Sequence, residues 1–451
     1  MASQSGDRPG LVPFQKFFAV LGYAVFSCLL IITLAEGASW IAWTFYWHFR
    51  SPLRHAGPES GNLMKGPRGL KNHRHWLLGD PLDTASASPA YDGYPWAEDF
   101  WEEERARFAR EEDAVPPYEP FRLWGWVPWK GKFVNMDETE MGALRRTVNQ
   151  YRPGCDHQVA KKIWFFGGST AWGWSVPDSA TIPSYLSEKL NAGANACFEV
   201  LNLGMIGYVM NQESIYLIQE LKAGWRPDVA IFYDGINDAL VGAVSPALPA
   251  THYGYSEIKS KWESRVLSWP DLVGRSYFFQ VTTRLESRIR SRVQGDLSEQ
   301  AGNNLARATL DNYESNVLLV QALGKAYGFE VRFFWQPVLL FGKKPQTPIE
   351  RALSENQRVE KAIQVVYEEA ENRSAAPGKH VSLAHVFDQT TETIYTDWSH
   401  LGPRGNEIVA EAIAAALGPS PPIHAKARAD ISVGKANSLL PMPGRGRRPR
   451  S

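Results

Sequence analysis

Ile163-Trp164-Phe165-Phe166-Gly167-Gly168-Ser169-Thr170-Ala171-Trp172-Gly173 is the stretch that decides how this chain folds. Four apolar residues in succession predict a strand buried on both faces, as the strands of parallel sheets are. The glycine pair permits a tight turn and close backbone approach. The serine then stands where a helix should begin, at the carboxyl edge of the sheet, where open α/β folds bind their ligands.

The same short apolar run recurs at Phe198 to Leu203, Val229 to Tyr233, Val331 to Trp335 and Val381 to Val386. Helical patterns near 179–191, 210–223, 302–327, 348–372 and 404–417 alternate with these runs. Buried strands alternating with amphipathic helices predict an α/β fold with a parallel sheet flanked by helices. The span 243–300 is long for a connection and reads as an insertion near the top of the sheet.

Ahead of the sheet, residues 116–150 hold Trp124, Trp126 and Trp129 among Pro and Gly, then Leu144-Arg145-Arg146-Thr147-Val148. This reads as an irregular arm with a strand. Its tryptophans either pack the arm or line a sugar or acyl site by stacking. Residues 51–115 show little periodicity, apart from a charged segment, Phe100 to Asp113, that reads as a short solvated helix.

Near the start, Phe17 to Ala35 runs nineteen residues without a charge, ending at Glu36. That is close to the ~20 residues that cross a bilayer. Trp40, Trp43, Tyr46 and Trp47 follow, and such rings favour the headgroup zone. The run is long for the core of a cleavable signal peptide, so it reads as an uncleaved signal anchor. Basic residues on its two sides leave the orientation open. The resulting scheme is an N-terminal segment (1–16), a transmembrane anchor with interfacial aromatics (17–49), a linker (50–119), an α/β domain with its arm (120–418), and a disordered basic tail (419–451).

The 451 residues carry 48 basic and 48 acidic side chains, a formal net charge of zero that argues against a dedicated nucleic-acid binder. That zero conceals an asymmetry, because the tail from Pro419 onward has seven Lys or Arg against one Asp, a net of +6. Three cysteines exclude a disulfide-stapled scaffold and a four-cysteine zinc site. Cys28 lies in the apolar run, which leaves only Cys155 and Cys197 able to pair. The sequence does not decide between a bridge and two ordinary buried thiols, and thiols are the expectation.

Three further blocks stand beside Gly-Gly-Ser. Val200-Leu201-Asn202-Leu203-Gly204 ends the second strand with a glycine. Asp228-Val229-Ala230-Ile231-Phe232-Tyr233-Asp234-Gly235-Ile236-Asn237-Asp238 places Asn237 just past the third strand, where a carboxamide can donate to an oxyanion without titrating. Tyr395-Thr396-Asp397-Trp398-Ser399-His400-Leu401-Gly402 puts a carboxylate and an imidazole three apart, so that Asp397 can hold Nδ1 and leave Nε2 for a serine proton. Each block alone has an ordinary structural reading as a turn, a cap or a strand end.

Taken together, in this order and after successive strands, the blocks resemble those of the SGNH (GDSL-type) hydrolase superfamily over about residues 120–418. Ser169, Gly204, Asn237 and His400 stand at the four name-giving positions, with Asp397 as the acid. The resemblance implies a flavodoxin-like sheet and ester or acyl-transfer chemistry. It implies Ser169 as nucleophile, His400 as base, and an oxyanion hole built from Ser169, Gly204 and Asn237. Gly168 departs from the aspartate that usually precedes the serine; related membrane-anchored bacterial members are similar in having Gly-Gly-Ser-Thr there. Gln336 follows the fourth strand and is a candidate for positioning substrate.

No metal or cofactor is called for. The expected function is a membrane-anchored serine esterase that removes acyl groups, acetyl first, from a glycan or a small polar ester, with its domain outside the cytoplasm in the periplasm. An O-acyltransferase acting on an extracytoplasmic polysaccharide through the same triad, or a silent anchored scaffold or glycan-binding protein, are the alternatives.

Overall fold

The computed structural model describes residues 88–109, 116–244, 251–255, 258–259 and 299–418, apart from short gaps at 152, 156–159, 193–196, 356–358 and 375–378, together with scattered helical residues between 21 and 41. The linker through residue 87, most of the 243–300 insertion and the tail from 419 onward lie outside the described residues.

Seven strands form the main sheet, in the order β3-β4-β6-β5-β7-β8-β9. β5 (Lys161–Gly167), β6 (Phe198–Asn202), β7 (Val229–Asp234), β8 (Glu330–Trp335) and β9 (Val381–Ser382) are mutually parallel. Counted from β5, their order is 2-1-3-4-5, the flavodoxin-like arrangement. All five strands read from the sequence are present, although the last is only two residues long. The hairpin of β3 (Met136–Thr139) and β4 (Gly142–Arg145) extends the sheet antiparallel beside β6, so the sheet is mixed rather than wholly parallel. A separate two-stranded ribbon, β1 (Tyr118–Glu119) with β2 (Leu123–Trp124), completes the arm.

Alternate residues of the central strands feed two cores, because successive side chains point to opposite faces. On one face Phe166, Phe232 and Phe333 lie in register on β5, β7 and β8 and stack at 4.8 and 5.4 Å between centroids. That face is covered by α4 (Met210–Lys222), α5 (Ile236–Val244), α6 (Glu299–Tyr327) and α8 (Glu360–Ser374). On the other face Ile163, Phe165 and Ile231 pack under α3 (Ile182–Asn191) and α9 (Pro403–Leu417). The helical pattern at 348–372 is two helices, α7 (Pro348–Ser354) and α8. Thr347 and Glu350 start α7 with a capping box.

The charged segment after residue 96 does form a helix, α1 (Ala97–Ala109), but not a solvated one. Phe100 and Trp101 are buried in the main core together with Tyr91. Glu104 and Arg107 are buried as a pair at 2.5 Å, and the Arg107 guanidinium lies 4.9 Å from the Trp129 ring. Their mutual charge hides the helix's inward face from a reading based on polarity. The described residues that pack with the sheet therefore begin at residue 88, inside the span read as linker.

Cys155 and Cys197 form a disulfide with 5.6 Å between their Cα atoms, in place of the two thiols expected. The bridge ties the segment leading into β5 to the start of β6, its sheet neighbour.

Among the described residues no helix is long and apolar enough to cross a membrane. The described residues of the Phe17 to Ala35 run are helical, and Tyr23, Phe26, Ile31 and Leu34 are exposed on it. Trp43, Tyr46 and Trp47 lie outside the described residues.

Candidate active site

The carboxyl ends of β5, β6 and β7 and the loop before α9 bring the four sequence blocks together. Ser169 is the first residue of α2 (Ser169–Trp172), directly after β5 and Gly168. Its Oγ lies 2.7 Å from His400 Nε2. His400 Nδ1 lies 2.6 Å from Asp397 Oδ2, which fixes the tautomer: Nδ1–H donates to the carboxylate and Nε2 is left to accept the serine proton.

The acid and the base share one tight turn. Tyr395 and Leu401 form a β-bridge, and the Gly402 amide donates to the Ile394 carbonyl at 2.8 Å. Within the turn, Asp397 Oδ1 accepts the backbone amides of Ser399 and His400, both at 2.7 Å. Burial alone would raise the Asp397 pKa. The His400 charge and these hydrogen bonds outweigh burial and bring the pKa down to about 2. Beneath the turn, the buried Glu350 carboxylate accepts the Ile394 amide at 2.9 Å and is paired with Lys344 at 2.7 Å.

Asn237 stands in the first turn of α5. Its Nδ2 donates one hydrogen to the Tyr208 carbonyl at 2.8 Å, and its Oδ1 accepts from the Tyr253 hydroxyl at 3.3 Å. These bonds orient the carboxamide and leave the second Nδ2 hydrogen for a ligand. Gly168 lies against that nitrogen: a Cβ at 168 would overlap Asn237 Nδ2 and sit 3.3 Å from its Cγ. Here is the physical reason for glycine before the serine. A side chain at 168 takes the space that the Asn237 carboxamide occupies.

Gly204 is placed differently from its sequence reading. Its amide donates to Asn202 Oδ1 at 2.9 Å, and a Cβ there would meet the Trp172 nitrogen at 2.5 Å. Gly204 therefore lets the loop pack against α2, with its N–H already committed. Three residues on, Gly207 adopts φ +75°, which favours glycine, and among the described residues its amide has no acceptor. It immediately precedes Tyr208, whose carbonyl holds Asn237. The signal for it was present in the sequence as the second glycine of Asn202-Leu203-Gly204-Met205-Ile206-Gly207.

Gln336 is fully buried at the end of β8, where its Oε1 accepts from Thr170 Oγ1 at 3.2 Å. It braces the helix that carries Ser169 rather than facing an open surface. The arm tryptophans likewise pack: Trp124 Nε1 donates to the Ile206 carbonyl at 2.8 Å, and Trp126 lies 6.0 Å from Trp172. Trp174 and Tyr253, which no motif marked, flank His400 and Asn237. Tyr253 comes from the first described residues of the 243–300 insertion.

Behind Asn237 three carboxyl groups are buried together: Glu213 of α4, Asp234 at the end of β7, and Asp238 of α5. Burial, reinforced by repulsion from Asp234, pushes Glu213 and Asp238 well up. Burial raises Asp234 to about 7. The trio therefore retains protons at neutral pH, since adjacent buried carboxylates cannot all ionise. Among the described residues no group of three or more His, Cys, Asp or Glu is placed to hold a metal ion.

In fold and in site the chain resembles the SGNH hydrolases. No family model and no curated protein matches the sequence. Solved structures that it matches include the acetyl xylan esterase AlAXEase, 14% identical over 57% of this chain and 99% of that one, with a TM-score of 0.30. They also include Axe2, an acetylxylan esterase from Geobacillus stearothermophilus (16% identity, 58% and 95% coverage, TM-score 0.30). A third is a lipase/acylhydrolase from Enterococcus faecalis (14%, 57% and 95%, 0.29). The SGNH reading rests on the strand order and on the geometry above.

Proposed function

We propose that this protein is a serine esterase of the SGNH type, which hydrolyses small acyl esters, acetyl foremost, of a glycan or a related polar substrate. The observation that carries the reading is the unbroken relay from Ser169 through His400 to Asp397, at 2.7 and 2.6 Å, beside an oriented Asn237. Ser169 Oγ attacks the ester carbonyl as His400 Nε2 takes its proton, and Asp397 stabilises the imidazolium. The oxyanion is received by Asn237 Nδ2 and by the amides of Ser169 and Gly207, the last in place of Gly204. His400 then returns the proton to the leaving alcohol. Water, activated by the same imidazole, releases the acyl group. Ser169 is only 8% exposed, with the Trp174 ring beside His400, which favours a small acyl group.

We infer further that the catalytic domain lies outside the cytoplasm, in the periplasm, held by the Phe17 to Ala35 segment. The Cys155–Cys197 bridge supports this placement, because disulfides persist in oxidising compartments. The exposed apolar side chains of Tyr23, Phe26, Ile31 and Leu34 support the anchor, since a bilayer would cover them.

The test uses the full chain in detergent on p-nitrophenyl acetate and longer esters, beside Ser169→Ala and His400→Ala. Turnover lost in both variants supports the reading. Equal turnover by all three, or failure of a fluorophosphonate to label Ser169, would leave a scaffold instead. Acetate released from acetylated polysaccharide marks a hydrolase, whereas acetyl appearing on added sugar marks an O-acyltransferase. A reporter fused after Ser451 that works only in the cytoplasm would overturn the placement.

A further inference from the structure

Residues 88–91 lie far ahead of the nucleophile in sequence, yet they touch both loops of the site. Ser88 Oγ donates to the Tyr395 carbonyl at 3.4 Å. Ala90 packs so closely on Gly402 that a Cβ at 402 would lie 2.8 Å from the Ala90 methyl. Both contacts fall on the turn that bears Asp397 and His400. The third contact falls on the loop after the nucleophile helix: the Tyr91 hydroxyl donates to the Ser175 carbonyl at 2.7 Å. Tyr91 is itself buried, with its ring edge-on to Trp101 at 5.6 Å.

Ser175 is an unusual residue to find at that point. Its φ is +70°, a left-handed conformation that a side chain disfavours, and it is buried with no hydrogen-bond partner for its own hydroxyl among the described residues. Such a conformation persists only where the surroundings enforce it. Two bonds do so here. The Trp174 amide donates to the Ser169 carbonyl at 2.9 Å on one side, and Tyr91 holds the Ser175 carbonyl on the other. Between them Trp174 is turned so that its ring lies 5.9 Å from the His400 ring, at 44°.

We propose that Tyr91 is a positioning residue of the site: by holding the Ser175 carbonyl it keeps the Trp174 ring against the His400 imidazole and so fixes the imidazole between Ser169 and Asp397. Tyr91 touches no reacting atom and acts through Trp174. This inference rests on the esterase reading above, and it makes the 88–91 segment part of the catalytic unit.

Tyr91→Phe keeps the ring and its contact with Trp101 while removing the hydroxyl and with it the bond to the Ser175 carbonyl. Steady-state kinetics on p-nitrophenyl acetate, with the full chain and well below its melting temperature, should show kcat lower by about ten- to a hundredfold, the scale of a small misplacement of catalytic groups, with KM within about twofold. Glycine takes a positive φ without penalty, so Ser175→Gly added to Tyr91→Phe should restore kcat to within about threefold of wild type. A role confined to packing would not be rescued in this way. Trp174→Leu should reproduce the kcat loss, and adding Tyr91→Phe to it should cost nothing further, as expected of residues acting in one chain. A Tyr91→Phe enzyme with wild-type kcat overturns the proposal, and so does a loss that Ser175→Gly leaves unchanged or that multiplies with Trp174→Leu. Wild-type protein inert to both ester and fluorophosphonate would instead overturn the esterase reading, and this inference with it.

Discussion

Replacing Gly168 by alanine should separate activity from stability. The added methyl would overlap Asn237 Nδ2, the end of a side chain and not backbone. A side-chain tip can swing aside at small cost to the fold, so the expected loss of stability is under about 1 kcal/mol. The catalytic cost is different, because the nitrogen cannot move and keep its place. Its 2.8 Å bond to the Tyr208 carbonyl and the 3.3 Å contact from Tyr253 define the one orientation that leaves a hydrogen for the oxyanion. Losing one such donor typically costs about 100–1000-fold in kcat, or roughly 2.7–4 kcal/mol of transition-state stabilisation. The assay is ester turnover by wild type, Gly168→Ala, Asn237→Ala and the double variant, with melting curves for all four. Because both single changes remove the same interaction, the double variant should be no slower than Asn237→Ala alone. Gly168→Ala with kcat within about threefold of wild type would refute the reasoning, and so would losses that multiply in the double variant, since either result separates Gly168 from the oxyanion donor.

Asp397→Asn should retain the turn but lower kcat by about 10⁴-fold, measured on the same ester, because the amide favours the wrong imidazole tautomer. The Asp397 pKa is depressed to about 2. Its paired carboxylate therefore contributes fully to stability above the unfolded value of about 4, and that contribution is lost as pH falls through about 2. Urea titrations of wild type and Asp397→Asn should converge at the acid end of that window. Glu213 and Asp234 have the opposite sign: their folded pKa values are raised, so their contribution to stability is fullest below about pH 4 and declines as pH rises, for Asp234 through about 7. Glu213→Gln should flatten that decline, which urea midpoints at pH 5 and pH 8 will read. Cys155→Ser, or reductant added to wild type, should lower stability by about 2–4 kcal/mol in urea unfolding, and reductant should have no effect on the variant.

The central strands were legible because burial on both faces leaves long apolar runs, as in Ile163 to Phe166. Ser169, Asn237, Asp397 and His400 were legible because each follows a strand or precedes a helix with a type of side chain that chemistry restricts. The strand read at Leu144 to Val148 overlaps β4, but its partner β3 escaped notice because of its four residues only Met136 is buried, while Glu138 and Thr139 are exposed. The inward face of α1 escaped because Glu104 and Arg107 neutralise one another inside the core. Gly204 and Gly207 both lie in the loop that follows β6. Sequence spacing alone does not reveal that the Asn202 side chain claims the first amide and leaves the second. Gln336 sat at the expected strand end, yet only packing shows that it supports Thr170 from behind.

The bond between Ser169 and His400 spans 231 residues, and that between Ser88 and Tyr395 spans 307. The nucleophile is thus synthesised long before its base, and the segment that locks the base's turn comes earlier still. A partly made chain carries an unactivated serine, since no imidazole stands near it until residue 400 has emerged and folded back. Contacts of such separation also make assembly slow, because a long loop must close before the contact rewards it. On the esterase reading, the site is complete only once the turn that bears Asp397 and His400 has been made and has folded back onto Ser169.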